Sequence, residues 1–325
     1  MAKTYKAQRH KKRLTHINHL QHIAWGIVCL MLISVLFGIT SYAQSLGREN
    51  SSLKQQLAAA TKPAPTVTCK ATTSWPAGTT QQQSVQTATG NRDFLIHLPA
   101  DFVSNQYYPV LLFYPGKGAT AQAAEFAYNL DQLPAIVVYP FPTPGSDGYN
   151  AWQSAPYSSK ADDIGFTNAV LDKVEHDMCV DRTRVYAAGM SNGGGFASLL
   201  SCKLSNRIAA VAVGSGAFYM PDGDCKPPRP IPLINVHGDN DANVPYGGSL
   251  TRRLPDIDEW TATRAVENGC KQPVVTQLDF TTHVTTWDGC KNNATVKNVR
   301  IQGGDHAWGQ VPNDYLWQFL IQYTL

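Results

Sequence analysis

Residues 185–195 place a serine between two glycines where a β-type run meets the start of a helix-type run. Ser191 stands between Gly189 and Gly193 in a Gly-x-Ser-x-Gly pattern. A serine on so tight a strand-to-helix turn takes strained backbone angles, so its hydroxyl projects clear of both elements, and the glycines let strand and helix approach. The alternative is a plain Gly/Ser-rich loop, but the strand-like and apolar runs on either side favour the turn. Ser191 is therefore the candidate nucleophile.

A serine nucleophile needs a base and an orienting acid. The apolar run 232–236 predicts a buried strand and leads into a turn-rich loop that holds Asp239 and Asp241. Both carboxylates are candidates for the acid. His306 follows the last strand-like run, 296–302, in a glycine-rich loop. Because it comes after the serine and the acidic loop in chain order, His306 is interpreted as the base rather than as a structural histidine.

Three separated motifs carry a resemblance to a known family. They are Gly-Met-Ser-Asn-Gly-Gly around Ser191, His-Gly-x-x-Asp-x-x-Val-Pro-Tyr from position 237, and Gly-Gly-x-His-x-Trp around His306. Together they resemble the polyhydroxybutyrate depolymerase and feruloyl esterase family of secreted α/β-hydrolases, over about residues 85–323. The resemblance implies an α/β-hydrolase fold with a mostly parallel central sheet and helices on both faces. It also implies a Ser-His-Asp triad, and it selects Asp241 as the acid.

The chain departs from this family before the elbow. Members usually carry His-Gly-x-Gly after the strand that begins the oxyanion loop, whereas this chain has Tyr114-Pro115-Gly116-Lys117-Gly118. The donor in that loop is a backbone N–H group, so loss of the histidine side chain need not remove it. We expect the backbone N–H groups of Lys117 and Asn192 to form the oxyanion hole.

This constellation predicts an extracytoplasmic serine carboxylesterase that acts through an acyl-enzyme. By the resemblance, its substrates are feruloyl or acetyl esters of plant polysaccharide, or hydroxyalkanoate polyester fragments. No metal or organic cofactor is expected, and His237 is interpreted as a packed core histidine. Trp152, Trp308 and Tyr149 are expected to line an apolar cleft for the acyl group. Two alternatives stay open: an acyltransferase or peptidase with the same triad, and a non-catalytic surface-anchored binding module.

The chain is expected to have four parts. Residues 1–22 form a basic cytoplasmic tail with six Lys/Arg and no acid, and residues 23–43 form an uncharged stretch of 21 residues, long enough to cross a bilayer. A cleaved signal peptide is the alternative, although such apolar regions are usually about 7 to 15 residues long. Residues 44–68 read as a stalk with a proline-rich end, and residues 69–325 as the catalytic domain. The domain then lies outside the cytoplasm, anchored or secreted.

Charge argues against a nucleic-acid partner. The whole chain is formally +3, but residues 69–325 hold 18 basic and 23 acidic side chains. A domain with this acidic balance lacks the basic surface that phosphate backbones require. The expected partners are therefore an ester substrate and a membrane, and the sequence leaves the oligomeric state open.

Cysteine usage fits an exported domain. Of seven cysteines, Cys29 lies in the apolar stretch and six follow it, an even count suited to three disulfides in an oxidising compartment. The family resemblance favours a bond between Cys270 and Cys290.

The other four cysteines are assigned by position. Cys179 precedes the elbow strand and Cys202 lies in the helix after it, so both are expected at the same edge of the sheet and are paired. Elimination then pairs Cys69 with Cys225.

Hydrophobic periodicity predicts strands alternating with helices, the pattern of a mostly parallel sheet covered on both faces. A hairpin is expected over 84–98 with its turn at Gly90-Asn91. Helices are expected over 163–178 and 314–323. The remaining strands are expected at 110–114, 136–139, 185–188, 211–214, 232–236 and 296–302.

Overall fold

The computed structural model describes residues 69–219 and 227–325. Its strands, in chain order, are β1 (Thr80–Thr87), β2 (Gly90–His97), β3 (Tyr108–Tyr114), β4 (Ile136–Pro140), β5 (Thr143–Pro144), β6 (Asn150–Ala151), β7 (Val180–Met190), β8 (Ala210–Gly214), β9 (Leu233–Gly238), β10 (Val274–Gln277), β11 (Thr282–Trp287) and β12 (Val296–Ile301). Its α-helices are α1 (Ala121–Tyr128), α2 (Asp163–Asp177), α3 (Asn192–Lys203), α4 (Ile257–Glu267) and α5 (Asn313–Leu320).

Ten strands form one sheet in the order β1-β2-β4-β3-β7-β8-β9-β12-β11-β10. The six central strands, from β4 to β12, pair in parallel, and each end of the sheet is closed by two antiparallel strands. A central strand such as β3 is buried along its whole length, because helices cover both of its faces. The predicted α/β-hydrolase architecture, with its mostly parallel central sheet, is confirmed.

Alternate residues of β3 pack into two hydrophobic cores, one on each face of the sheet. Val110 and Leu112 pack on the face covered by α2, α3 and α4, whereas Leu111 and Phe113 pack on the face covered by α1 and α5. This alternation follows from the two-residue period of a strand. The two cores hold the central strands rigid, so their carboxyl ends form a fixed frame for the loops that follow.

The expected central strands and both expected helices are present, with ends shifted by a few residues. The hairpin turn lies at residues 88–89, two residues before the expected place, because Gly90 pairs with Thr87 and belongs to the strand. Helices α1 and α4 were not expected from the sequence. Each is short and begins at a side-chain cap, Thr120 for α1 and Asp256 for α4.

The disulfides agree with the sequence analysis at one pair only. Cys270 bonds Cys290, but Cys179 bonds Cys69, so the pairing of Cys179 with Cys202 and of Cys69 with Cys225 is wrong. The start of the domain lies against the loop before β3 and the end of α2, where Ala71 N–H donates to Ser104 O and Thr72 N–H donates to Asp177 O, and this brings Cys69 to Cys179. Chain order alone could not show that path.

Cys202 is also disulfide-bonded, and Cys225 lies outside the described residues. The expected cytoplasmic tail, apolar span and stalk, residues 1–68, lie outside them as well. Across residues 69–219 and 227–325, we find no helix with the length and apolar character that a bilayer crossing requires.

Candidate active site

The serine elbow has the strained geometry that its sequence predicts. Ser191 links β7 to α3 with φ 56° and ψ −122°, a left-handed value that a non-glycine residue rarely adopts. Its N–H donates to Gly214 O over 2.9 Å, which fixes the turn against β8. A Cβ added at Gly193 would lie 2.1 Å from Tyr114 O, so the close approach of helix and strand requires glycine there.

The structure distinguishes the two carboxylates of the acidic loop. Asp241 is buried, and its Oδ2 lies 2.7 Å from His306 Nδ1. Asp239 instead faces Arg300 and accepts a hydrogen bond from Gly303 N–H, on the exposed side of the loop. Only Asp241 is therefore placed to orient the candidate base.

Asp241 is held as an anion in spite of its burial. Burial alone would raise the pKa of this carboxyl group, but hydrogen bonds from His237, His306 and the Val244 N–H outweigh it and hold the pKa well below its usual value. The second oxygen, Oδ1, accepts from the N–H groups of Asn243 (2.8 Å) and Val244 (2.7 Å). The carboxylate is thus fixed in one orientation, with a full negative charge toward His306.

His306 lies on the loop after β12 and shares a cavity with Ser191. The cavity has a volume of about 560 Å³, and Ser191 and His306 both line it. With Nδ1 engaged by Asp241, the Nε2 atom of His306 is the one left for the serine. Within the described ranges no hydrogen bond joins Ser191 Oγ to His306 Nε2. Such contacts are often long before substrate binds.

The loop expected to supply one oxyanion donor crosses directly over the serine. A Cβ added at Gly116 would lie 3.2 Å from Ser191 Cβ and 3.8 Å from its Oγ. Pro115 O accepts a hydrogen bond from Trp152 Nε1 (2.9 Å), and Gly118 N–H donates to Asn150 O (2.8 Å), so the loop is fixed at both ends. The Lys117 N–H between these anchors donates to no group in the part of the chain that the structure describes.

Asn192 is the first residue of α3, where backbone N–H groups have no partner inside the helix. Its side chain is buried and bonds the backbone of Trp152 at both ends: Oδ1 accepts from Trp152 N–H (2.7 Å), and Nδ2 donates to Trp152 O (3.3 Å). These bonds fix the start of α3 beside Ser191. The two expected donors therefore lie on rigid backbone.

The expected role of Trp152 in substrate binding is wrong. The residue is fully buried, stacks on Phe196 with ring centroids 5.3 Å apart, and packs edge-on against Tyr114. Its loop folds back into the core because the indole N–H and the backbone find partners at Pro115 and Asn192. Trp152 supports the loop that is expected to supply an oxyanion donor, and the start of α3, from the core side.

Trp308 and Tyr149 do not line the cavity either. Trp308 points into the opposite core, edge-on to Phe113 at 5.0 Å, and donates from Nε1 to Asn313 Oδ1. Its closeness to His306 in sequence is misleading, since the loop turns between them. Tyr149 is 62% exposed, with its ring 5.3 Å from Lys117 Nζ, and lies outside the cavity lining.

The aromatic wall of the cavity comes from two tyrosines that the sequence analysis did not single out. Tyr157 and Tyr219 meet edge-to-face with centroids 5.9 Å apart, and Lys117 Nζ lies 4.2 Å above the Tyr157 ring. Lys117 also forms an ion pair with Asp147. Burial raises the pKa of Tyr157, so its phenol is neutral. Their position in the sequence could have indicated this role, because both tyrosines follow carboxyl ends of central strands, where open α/β sheets place their ligand sites. The other lining residues are Pro156, Ala217, Asn243, Val244 and Arg252.

One cluster of metal-ligating residue types lies apart from this cavity lining. Donor atoms of His97, Glu125 and Asp131 lie within 4.8 Å of one another. Thr80 Oγ1 lies 2.8 Å from His97 Nδ1, and Tyr139 donates to Asp131 over 2.8 Å. Protein donors thus already contact the cluster, and no step of the chemistry below uses it.

Comparisons with known proteins agree with the sequence resemblance. Feruloyl esterase B of Piromyces equi is 30% identical over 256 residues, which cover 72% of this chain and 46% of that protein. A bifunctional acetylxylan esterase/xylanase, XynS20E of Neocallimastix patriciarum, is 25% identical and covers 72% of this chain and 34% of that protein. The chain thus spans half or less of these two relatives. A protein of Aspergillus oryzae named "Probable feruloyl esterase C", 25% identical, is covered over 84% of its length. No family model matches the chain.

Solved structures support the fold. An acetyl xylan esterase from Aspergillus awamori superimposes with a TM-score of 0.56 at 16% identity and covers 74% of this chain and 99% of that one. A feruloyl esterase module from Clostridium thermocellum gives 0.52 at 13% identity, covering 81% and 95%. The feruloyl esterase half of the resemblance is confirmed, and the polyhydroxybutyrate depolymerase half stays a prediction. The chain is similar to feruloyl esterases over about 72% of its length and has an α/β-hydrolase fold.

Proposed function

We propose that this protein is a serine carboxylesterase that hydrolyses feruloyl or acetyl esters of plant polysaccharide. The observation that carries the proposal is the Asp241–His306 pair beside a cavity that also contains Ser191, on a strained elbow. The names of the relatives support the same reaction class.

In the proposed reaction, Ser191 Oγ attacks the ester carbonyl carbon while His306 Nε2 takes its proton. The carbonyl oxygen becomes an oxyanion, which accepts hydrogen bonds from the backbone N–H groups of Lys117 and Asn192. Asp241 stabilises the imidazolium and holds His306 in the tautomer that leaves Nε2 unprotonated at the start.

When the tetrahedral intermediate collapses, the C–O bond to the alcohol breaks and His306 returns the proton to the leaving alkoxide. Water then attacks the acyl-enzyme while His306 takes a proton from it. The C–O bond to Ser191 breaks to release the carboxylic acid, and His306 returns the proton to Ser191 Oγ. Proton and acyl group are balanced within this cycle, and the residues present supply every proton transfer.

The cavity wall supports a small acyl group with an aromatic or short aliphatic part. The paired rings of Tyr157 and Tyr219 offer a flat apolar surface, and Ala217 and Val244 extend it. A volume of about 560 Å³ is in the range of small-molecule sites. Feruloyl and acetyl groups both fit these dimensions.

We also propose that the domain works outside the cytoplasm. Its disulfides, including Cys69–Cys179 and Cys270–Cys290, are of a kind that persists in oxidising compartments. Protease added to intact cells should release a fragment that contains Ser191 if residues 23–43 anchor the chain. A mature chain beginning at Gln44 in the medium would instead mean cleavage and secretion.

The test of activity is hydrolysis of methyl ferulate and p-nitrophenyl acetate by the full chain and by Ser191→Ala. Ser198→Ala is the matched control, because Ser198 lies two turns along the same helix and outside the cavity lining. We expect Ser191→Ala to lose activity by at least about 10³-fold, with the control unchanged. Equal turnover by Ser191→Ala and the wild-type chain would refute the proposal.

A further inference from the structure

His237 contacts the same carboxylate oxygen of the candidate catalytic acid, Asp241 Oδ2, as the candidate base does. It lies at the end of β9, is fully buried, and its Nε2 lies 3.2 Å from Asp241 Oδ2 and 2.9 Å from Val244 O. Its other ring nitrogen, Nδ1, has no hydrogen-bond partner among the described residues. A buried histidine bonded on one side only is unusual, because buried polar atoms are nearly always paired.

The partners of Nε2 determine where the proton sits. The Val244 carbonyl can only accept a hydrogen bond, so Nε2 must carry the proton. Nδ1 has no acceptor to bond, so the hydrogen-bond partners favour the tautomer with the proton on Nε2. In that form His237 donates to Asp241 and to Val244 O through one shared proton.

The contacts form a closed ring around the acidic turn. Asp241 Oδ1 accepts from the Val244 N–H, while His237 donates both to Val244 O and to Asp241 Oδ2. The turn from Asp241 to Val244 is therefore tied at both ends to one rigid side chain on β9. Any rotation of the carboxylate away from His306 would break a bond to His237.

We propose that His237 is a positioning residue for catalysis, which holds the carboxylate of Asp241 at the angle that His306 requires. This inference rests on the proposed function, because it assumes that Asp241 and His306 act together in ester hydrolysis. His237 itself does not line the cavity and does not touch the reacting atoms.

The surroundings of His237 explain how its ring is held. Tyr246 packs edge-on against the ring with centroids 5.7 Å apart, and its hydroxyl donates to Asp258 of α4 (2.7 Å). On β12, Arg300 is the register partner of His237, but its guanidinium lies over Tyr246 and pairs with Asp239. These charged groups therefore have other partners, and among the described residues Asp241 is the carboxylate bonded to His237.

A same-face neighbour provides the control for a merely structural role. Asn298, on β12, donates to the Tyr246 hydroxyl (2.7 Å) and to Asp258 (2.8 Å), and it accepts from Asn235. It is as buried as His237 but makes no bond to Asp241. Asn298→Leu therefore removes buried hydrogen bonds to Tyr246, Asp258 and Asn235, but it keeps the bonds between His237 and the turn from Asp241 to Val244.

The decisive pair is His237→Gln and His237→Asn in the full chain. Glutamine carries its amide nitrogen at the same ε position as the histidine Nε2, so it can donate to Asp241, whereas asparagine is one atom shorter. Turnover on p-nitrophenyl acetate is normalised to the concentration of Ser191 that a fluorophosphonate probe labels at completion, which counts only folded sites. The NMR signal of the His306 Nδ1–H proton reports on its bond to Asp241.

We expect His237→Asn to lower kcat about 10- to 100-fold with KM unchanged, the usual cost of a misplaced catalytic group. His237→Gln and Asn298→Leu should stay within about threefold of the wild-type kcat and keep the His306 signal, which broadens or disappears in His237→Asn. Equal kcat in the Gln and Asn variants, or an equal loss in Asn298→Leu, would overturn the inference. If wild-type hydrolysis is also independent of Ser191, the proposed function fails and the inference fails with it.

Discussion

The substitution Asp241→Asn tests whether Asp241, rather than Asp239, is the catalytic acid of the loop. It replaces one carboxylate oxygen by an NH₂ group and leaves the size of the side chain nearly unchanged. In the wild-type chain, Oδ1 of Asp241 accepts two backbone N–H groups, while Oδ2 faces His306 Nδ1 and His237 Nε2. The Asn oxygen will keep the two backbone donors. The Asn NH₂ group then replaces Oδ2. Its hydrogens face His306 Nδ1 and His237 Nε2, which are themselves hydrogen-bond donors in the wild-type chain.

This reversal has a catalytic and a structural cost. To accept from the new NH₂ group, His306 must put its proton on Nε2, which leaves no base facing Ser191. A wrong tautomer of this kind lowers kcat by about 10⁴-fold, or about 5.5 kcal/mol in activation free energy. Against His237, the buried donor facing a donor destabilises the fold by about 1 to 3 kcal/mol.

The matched control is Asp239→Asn. Asp239 pairs with the half-exposed Arg300 and accepts the Gly303 N–H, and exposed pairs contribute about 0 to 1 kcal/mol. Turnover of p-nitrophenyl acetate and thermal melts of the full chain measure both variants. Asp239→Asn should keep kcat within about threefold. The reasoning is refuted if Asp241→Asn keeps more than a tenth of the wild-type kcat, or if Asp239→Asn loses as much.

Three further predictions concern the proposed oxyanion donor, a buried ion pair and a disulfide. Lys117→Pro, which removes the backbone donor, should lower kcat about 100-fold or more with an unchanged melt, while Lys117→Ala keeps most activity; normal turnover in a folded Pro variant would move the donor elsewhere. Arg92→Leu leaves Asp163 buried without its 2.6 Å ion-pair partner, and denaturant unfolding should show a loss of about 3 to 5 kcal/mol, against little change if the pair is dispensable. Cys69→Ser, which opens a loop of 110 residues closed by Cys179, should lower the free energy of unfolding by up to about 4.7 kcal/mol; an unchanged denaturation midpoint would contradict this.

The sequence predicted the parts of the molecule that local chemistry determines. The elbow at Ser191 is a strand, a tight turn and a helix in immediate succession, so its glycines and apolar runs are sufficient evidence. The chain order of acid and base places Asp241 and His306 after strands whose carboxyl ends share one edge of the sheet. Their proximity follows from the parallel topology.

The predictions that were wrong concerned residues whose positions depend on how the loops fold back onto the core. A tryptophan in a Pro/Gly-rich loop can line a cleft or pack behind it, and the local sequence does not distinguish the two. The position of Trp152 is determined by its hydrogen bonds to Pro115 and Asn192. Tyr157 and Tyr219 form the cavity wall together although they lie 62 positions apart on loops without a helix or strand pattern. Cysteine pairing likewise depends on the path of the first residues of the domain, which bond Ser104 and Asp177.

The bond between Cys69 and Cys179 determines how the domain responds to mechanical load. A pull on the chain from the N-terminal side reaches Cys69 and passes through the disulfide directly to the residue before β7. The covalently bypassed segment, which includes β1 to β6 and α2, bears no tension. The force would therefore act on β7, the strand that leads into Ser191, and the outer strands β1 and β2 would not be the first to separate from the sheet.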